Sequence, residues 1–144
     1  MSAEVNKAVV RRYIEKVWNR HNIDAVDELV SPDYLNHAAS DEYQRGIAGV
    51  KHVLNWLFAV FPDHCFDIED AAADGDTVAV RGTCSGTHEG ELWDIPPTGK
   101  RFAVQQSHWF RVAHGKVAEH WAVRDDLGMM RQLGVMPTHV DKEE

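Results

Sequence analysis

Pro62 separates two stretches of chain whose apolar residues repeat with different periods, and that change constrains the fold more than any other feature. Before it, apolar side chains recur every three to four residues, the spacing of one face of an α-helix. After it, they alternate or run in short blocks between turn signals, as strands do. Ala3 to Arg20 carries Val9, Val10, Tyr13, Ile14, Val17 and Trp18 at helical spacing, with charged residues between them. Asp24 to Val30 reads as a short second helix that Asn22 can cap. Ser31-Pro32 stops it, because proline has no N–H to continue the ladder. After an irregular stretch from Tyr34 to Arg45, a third helix is predicted over Gly46–Phe61, with Val50, Val53, Leu54, Leu57, Phe58 and Phe61 on one face.

The second half predicts four strands, Phe66–Ala73, Thr77–His88, Arg101–Val112 and Lys116–Arg124. Turn signals separate them at Asp74-Gly75-Asp76, Pro96-Pro97-Thr98-Gly99 and His114-Gly115, and the last pair reads as a long hairpin. Asp125 or Asp126 then caps a short final helix reaching about Leu133, where Gly134 ends it and Pro137 prevents its resumption. Residues 1–140 are expected to form a single domain, with 141–144 as an acidic tail. Helices gathered before a run of antiparallel strands imply an α+β fold, with the N-terminal helices packed in a strongly curved antiparallel sheet. Such a sheet makes a cone, and inward side chains at its mouth can meet a small ligand.

Charge narrows the partners. Fifteen Lys plus Arg against 23 Asp plus Glu give a net charge of −8, the wrong sign for holding a phosphate backbone or an anionic membrane. Glu4, Lys7, Arg11 and Arg12 interrupt any apolar run that could act as a signal peptide or a transmembrane helix, so a cytoplasmic location is expected. Cys65 and Cys84 lack CxxC spacing and read as reduced thiols without a catalytic role.

Alternation puts Gln106, His108 and Phe110 on one face of the third long strand, and His120, Ala122 and Arg124 on one face of the fourth. Trp109, Glu119 and Trp121 take the opposite faces, and the two tryptophans are suited to packing on the helices. Polar residues at 106, 108, 120 and 124 break the pattern of a core-facing strand, so they either face solvent or line a wet pocket. Nine histidines raise the question of a metal, with His37, His88, His108 and His120 as possible ligands. No HxH, HExxH or His/Cys cluster supports one, and no metal is expected. Asp74-Gly75-Asp76 lacks the rest of a calcium loop and reads as a turn. Phosphate-binding glycine loops and a GxSxG nucleophile elbow are absent as well.

Six stretches carry a family likeness: Tyr34-Leu35-Asn36-His37, Phe61-Pro62-Asp63, Gly86-Thr87-His88-Glu89-Gly90-Glu91, Pro96-Pro97-Thr98-Gly99-Lys100, Gly115-Lys116-Val117-Ala118-Glu119-His120-Trp121 and Gln132-Leu133-Gly134. In these the sequence resembles the SnoaL-like polyketide cyclase (ester cyclase) family of the NTF2-like superfamily. The resemblance implies the NTF2-like cone and a homodimer formed through the exposed sheet. It also implies an enzyme without cofactors that closes a ring by intramolecular aldol condensation on a polyketide ester or a related small carbonyl compound. Loss of a proton from a methylene flanked by carbonyls needs a positioned base and donors for the enolate oxygen.

In those cyclases the base is an aspartate directly after the tryptophan of the Glu-His-Trp motif, and here that position is Ala122. Three readings stay open. Asp125 supplies the base, although it also reads as a helix cap; His108 or His120 takes the proton; or the protein is a ligand-binding or scaffold member that catalyses nothing. A related hydrolase or cofactor-free oxygenase is a further alternative. By the same resemblance His108 and His120 match pocket positions, and Asn36, His37 and Gln106 are candidate substrate-binding residues. Arg124 is a candidate partner for a carboxylate or enolate, with an ion pair to Asp125 or Asp126 as the other reading. Trp93 is a candidate cover for the mouth, while His88 and Glu89 read as framework.

Overall fold

The computed structural model describes residues 2–136; the predicted domain end at 140, Pro137 and the acidic tail at 141–144 lie outside them. Helix α1 (Ala3–Tyr13) starts where the Ser2 hydroxyl accepts the Val5 N–H, an N-cap bond of 3.1 Å. It runs on into a π-helical turn, Ile14–Asn19, in which the Arg20 N–H bonds the Glu15 carbonyl at 3.0 Å. One continuous rod thus covers the predicted first helix, but its last turn is widened. Such a turn redirects side chains, and here it carries Trp18. The second helix is shorter than predicted: a 3₁₀ turn, Ile23–Ala25, capped by Asn22, leads into α2 (Val26–Leu29).

Val30, expected to be helical, instead opens strand β1 (Val30–Asn36), which takes the first residues of the stretch expected to be irregular. Its sequence hides it, because Pro32 sits inside. A strand with a proline can pair only where the missing N–H is not needed, at a sheet edge, and β1 is an edge strand. Helix α3 (Gly46–Val60) ends one residue before the predicted limit. Strands β2 (Cys65–Asp74), β3 (Thr77–Thr87), β4 (Arg101–Ala113) and β5 (Lys116–Arg124) follow, then α4 (Asp126–Gln132).

The sheet order is β1-β5-β4-β3-β2. Its four later strands are antiparallel as predicted, whereas β1 lies parallel to β5, so the sheet is mixed rather than wholly antiparallel. His114 and Gly115, with φ of +53° and +74°, form the two-residue turn between β4 and β5. Two consecutive left-handed residues match the twist of a tight hairpin, which explains the His-Gly pair. Register shifts between Ile68 and Asp70 and between Arg111 and Val112 bend the sheet into an unclosed curve. At Gly82, opposite the first of these, a Cβ would fall 2.0 Å from the Asp67 carbonyl oxygen, so only glycine allows this approach.

Helix α1 crosses the inner face of the curve, and Val10, Tyr13, Ile14 and Val17 are buried there with Phe66, Val78, Val80, Phe110, Val112 and Val117. Each such side chain contributes about 1.5–3 kcal/mol by leaving water. Val50, Leu54 and Val60 of α3 complete the core, with α3 packed beside β1.

The tryptophans expected to pack on the helices do not. Trp109 and Trp121 pair across β4 and β5 on the outer face, where they are 47% and 38% exposed. The reason lies in α1 and its π turn: Tyr13 and Trp18 already supply the aromatic layer that the inner face of the sheet meets. Among the described residues no helix is long and apolar enough to cross a membrane.

Candidate active site

Between the inner sheet face, α3 and the loops at the open end lies a cavity of about 470 Å³. That volume falls within the range of small-molecule sites, roughly 300–1,000 Å³. Its wall is mostly apolar or aromatic, including Trp18, Tyr34, Leu54, Phe61, Phe102 and Met129, with Trp56 and Trp93 also on it. The polar lining residues include Asn36, His64, Gln106, His108, His120, Arg124 and Asp126.

Four of these residues form one line of hydrogen bonds whose direction can be worked out atom by atom. The Asn36 Oδ1 accepts the backbone N–H of Ala38 at 2.9 Å, which fixes that atom as the oxygen. His120 Nδ1 lies 2.9 Å from the same oxygen and must therefore carry a proton. In a neutral His120 ring Nε2 is then an acceptor, so the His108 Nδ1, 2.9 Å away, donates to it. What remains is His108 Nε2, facing the Gln106 side-chain amide at 2.8 Å. That nitrogen holds the one lone pair of the imidazole pair not already engaged by another ring or by Asn36.

Burial, reinforced by the positive Arg124 and by His64, pushes the His108 pKa down to about 3. Burial also holds His120 well below the usual histidine value, with His108, Arg124 and His37 adding to the effect. Both rings are therefore neutral near pH 7. The atom placed 2.8 Å from His108 Nε2 is Gln106 Oε1, and because a neutral Nε2 only accepts, the amide must be reversed to present its NH₂ there. Once that nitrogen is protonated, the amide oxygen becomes its natural partner. Trp18 packs edge-on against both imidazoles, with ring centroids 4.7 Å from His108 and 5.8 Å from His120. The widened turn of α1 thus holds the pair from the side opposite the strands.

Of the residues named from sequence, Asn36, Gln106, His108, His120, Arg124 and Trp93 share this cavity. Trp93 stands on its wall near Trp56, with ring centroids 6.2 Å apart, and is 54% exposed, with a positive φ of 44°. His37 and Asp125 are not among the lining residues. His37 bonds the Glu119 carboxylate at 2.6 Å and stacks on Trp121 on the outer side. Asp125 accepts the Gly128 N–H at 2.8 Å and caps α4, as its cap reading expected. Its neighbour Asp126, not singled out from sequence, supplies the sole carboxylate on the wall among the described residues, paired with Arg124 at 3.3 Å.

Sequence reasoning also passed over Trp18, Tyr34 and His64. The signal for His64 was available, since it directly follows the Phe61-Pro62-Asp63 stretch that stops α3. His88 is fully buried, with Nδ1 accepting the Thr98 N–H at 3.2 Å, in line with its framework reading. Cys65 and Cys84 are free thiols. Among the described residues no cluster of three or more His, Cys, Asp or Glu side chains is arranged to hold a metal ion.

A curved sheet over helices, with a mostly apolar cavity and a histidine line at its end, defines the cone class of small-molecule proteins. Within that class, the profile of the SnoaL-like polyketide cyclase family matches residues 8–133, and the chain belongs to that family. It is 33% identical over 138 residues to aklanonic acid methyl ester cyclase DnrD of Streptomyces peucetius, covering 93% of this chain and 92% of that one. It is 32% identical over 120 residues to nogalonic acid methyl ester cyclase of Streptomyces nogalater, covering 81% and 89%. Among solved structures, TsrD of Streptomyces laurentii superposes with a TM-score of 0.84 at 26% identity, covering 94% of this chain and 99% of that one.

Proposed function

We propose that this protein is a polyketide ester cyclase whose base is His108, acting on an aromatic or otherwise apolar carbonyl compound with an activated methylene. The observation that carries this reading is the line from Asn36 through His120 to His108, which makes His108 Nε2, held by the Gln106 side chain on the cavity wall, the accepting end of the imidazole pair. Ala122 removes the carboxylate that the family places after its Glu-His-Trp motif, and Asp125 is engaged as a helix cap. His120 is held at both nitrogens by Asn36 and His108, whereas His108 Nε2 is held only by the Gln106 side chain, which can turn aside for substrate, so His120 supports His108 rather than meeting substrate.

In the reaction, once Gln106 turns aside, His108 Nε2 takes a proton from the methylene and the C–H electron pair moves into the neighbouring carbonyl, giving an enolate. The negative charge of the enolate beside the ring offsets the burial that makes the resting imidazole a weak base. The His108 cation keeps its Nδ1–H on His120, while Gln106 turns its oxygen to the new Nε2–H. Arg124 offers positive charge to the enolate oxygen, the kind of preorganised electrostatic support that lowers such barriers. The enolate carbon then attacks a second carbonyl of the same molecule, the C–C bond closes the ring, and the alkoxide formed recovers the proton from His108. Binding falls to the aromatic wall, with Trp56 and Trp93 covering the ligand.

Two further features belong to this reading. The exposed Trp109, Trp121 and Val123 support a homodimer in which a second copy covers the outer sheet face. The free thiols support a reducing, cytoplasmic setting.

The test is solvent deuterium exchange, followed by NMR, into a panel of methylene-activated ketoesters. Wild type, His108→Ala, His120→Ala and Asp125→Asn are compared. Exchange by wild type and Asp125→Asn that disappears in His108→Ala is the expected result. No exchange with any ketoester that demonstrably binds moves the protein to the ligand-binding reading.

A further inference from the structure

The polar atoms of the cavity can be sorted by what they still offer a ligand. Asn36 Oδ1 and both nitrogens of His120 are engaged within the line described above, His108 Nε2 meets the Gln106 amide, the Asp126 carboxylate pairs with Arg124, and Arg124 offers only N–H donors. His64 differs from all of these. It follows α3 directly, lines the cavity and is 6% exposed. Its Nδ1 lies 3.2 Å from the Trp18 backbone carbonyl, and a carbonyl oxygen only accepts, so Nδ1 carries the proton. The other nitrogen, Nε2, has no partner among the described residues, yet it is not sealed as the partnerless His88 Nε2 is.

The tautomer is held from behind. Trp18 belongs to the π turn, and the His64 carbonyl is bonded by the His21 ring at 2.8 Å, so both backbone and ring of His64 are tethered. Burial pushes the His64 pKa down to about 4, which keeps the ring neutral near pH 7. A residue lining the cavity therefore carries a fixed, neutral acceptor, open until a ligand covers it, that takes a donor from the ligand. A carbonyl or ether oxygen placed there would set lone pair against lone pair, and a methyl group would leave the nitrogen dry and unpaired. A ligand that covers this acceptor without donating to it leaves it unpaired, which weakens binding.

We infer that His64 is a specificity-determining residue that accepts a hydrogen bond from a hydroxyl of the ligand, so the site selects a phenol or enol O–H over a carbonyl or methyl at that position. This rests on the cyclase reading only in placing the substrate in this cavity, and it concerns recognition, not proton transfer.

Equilibrium binding of an isosteric pair, 2-naphthol and 2-methylnaphthalene, tests it without turnover. Wild type is expected to prefer 2-naphthol by about tenfold or more, corresponding to the cost of an unpaired acceptor. His64→Phe should bind 2-methylnaphthalene at least as well as wild type and lose the preference, whereas His64→Gln, which keeps an acceptor, should retain part of it. His108→Phe should leave the preference in place, which separates this inference from the assignment of the base. An unchanged preference in His64→Phe overturns the inference, and so does the absence of any preference in wild type. If His64→Phe does not fold, ¹⁵N-histidine NMR of wild type decides: 2-naphthol must shift the His64 Nε2 resonance and 2-methylnaphthalene must not.

Discussion

The two faces of the β4–β5 hairpin depart from the usual arrangement in opposite senses. On the inner face His108 and His120 are buried, 5% and 6% exposed, where apolar side chains belong. On the outer face Trp109 and Trp121, one register position away, stand exposed where polar ones belong. Burying an imidazole pair costs stability unless each polar atom is partnered, and exposing paired indoles invites association. Neither choice helps a monomer fold. On the proposed reading the inner face answers to a small molecule and the outer one to a second copy.

The largest expected effect lies on the inner face. His108→Phe should cut deuterium exchange into a bound ketoester by about 10²–10⁴-fold, the range for loss of a positioned base, with little change in ligand Kd. Adding Ala122→Asp to that variant should restore part of the rate, because residue 122 lies opposite residue 108 in the hairpin register. Initial exchange rates and titration calorimetry on the two variants check this. Equal rates in His108→Phe and wild type would remove the inner face from the chemistry.

Acid separates the faces next. His64 and His108, near 4 and 3 in the folded protein, lie below the ordinary histidine value of 6.5. The unfolded chain thus binds protons that the folded one refuses. Stability is full above about pH 6.5 and falls as the pH drops from there toward the folded values. Each ring contributes on the order of a few kcal/mol over that window. Urea unfolding at pH 7 and pH 5 should show the loss, and His64→Phe should remove the His64 share of it if the variant folds. A profile flat between those pH values would mean that the histidines are not held neutral.

The outer face should answer to association instead. Trp109→Glu is expected to weaken self-association by about 2 kcal/mol or more, the cost of losing an interface anchor, while leaving ligand affinity unchanged. Sedimentation velocity over a concentration series reads the first quantity and calorimetry the second. A wild type that stays monomeric at high concentration would break the comparison at its outer half.

The contrast between faces was half legible in the sequence. Alternation along β4 and β5 grouped residues 106, 108, 120 and 124 correctly, because side-chain direction in a strand depends only on position. It could not say which group faced inward, and the size of the tryptophans pointed to the wrong one. That decision was made far away, by a π turn that gives Trp18 to the histidines, and such turns leave no periodic signal. Strand β1 was hidden by Pro32, and its parallel pairing with β5 joins residues far apart in sequence. The family stretches named Asn36 and His120 separately, and the structure joins them by a hydrogen bond of 2.9 Å between residues far apart in sequence.

The smallest prediction concerns the polar edge of the outer face, where Glu119 receives Arg111 Nε at 2.9 Å and His37 Nε2 at 2.6 Å. The Arg111 bond, then the His37 bond, holds the Glu119 carboxyl below its ordinary pKa. A depressed carboxylate contributes stability that is present above its unfolded value and lost as pH falls through the folded one, so the contribution is full at pH 7. Arg111 and His37 are both substantially exposed, and water screens such pairs to less than about 1 kcal/mol. Glu119→Gln should therefore lower stability at pH 7 by only about 0.5 kcal/mol in urea unfolding, with the difference vanishing in acid. It should also free the His37 ring from its carboxylate and loosen the stack on Trp121, whose centroid lies 4.9 Å away. If Glu119→Gln instead abolished deuterium exchange, the two faces would be coupled through β5, and the division of labour between them would fail.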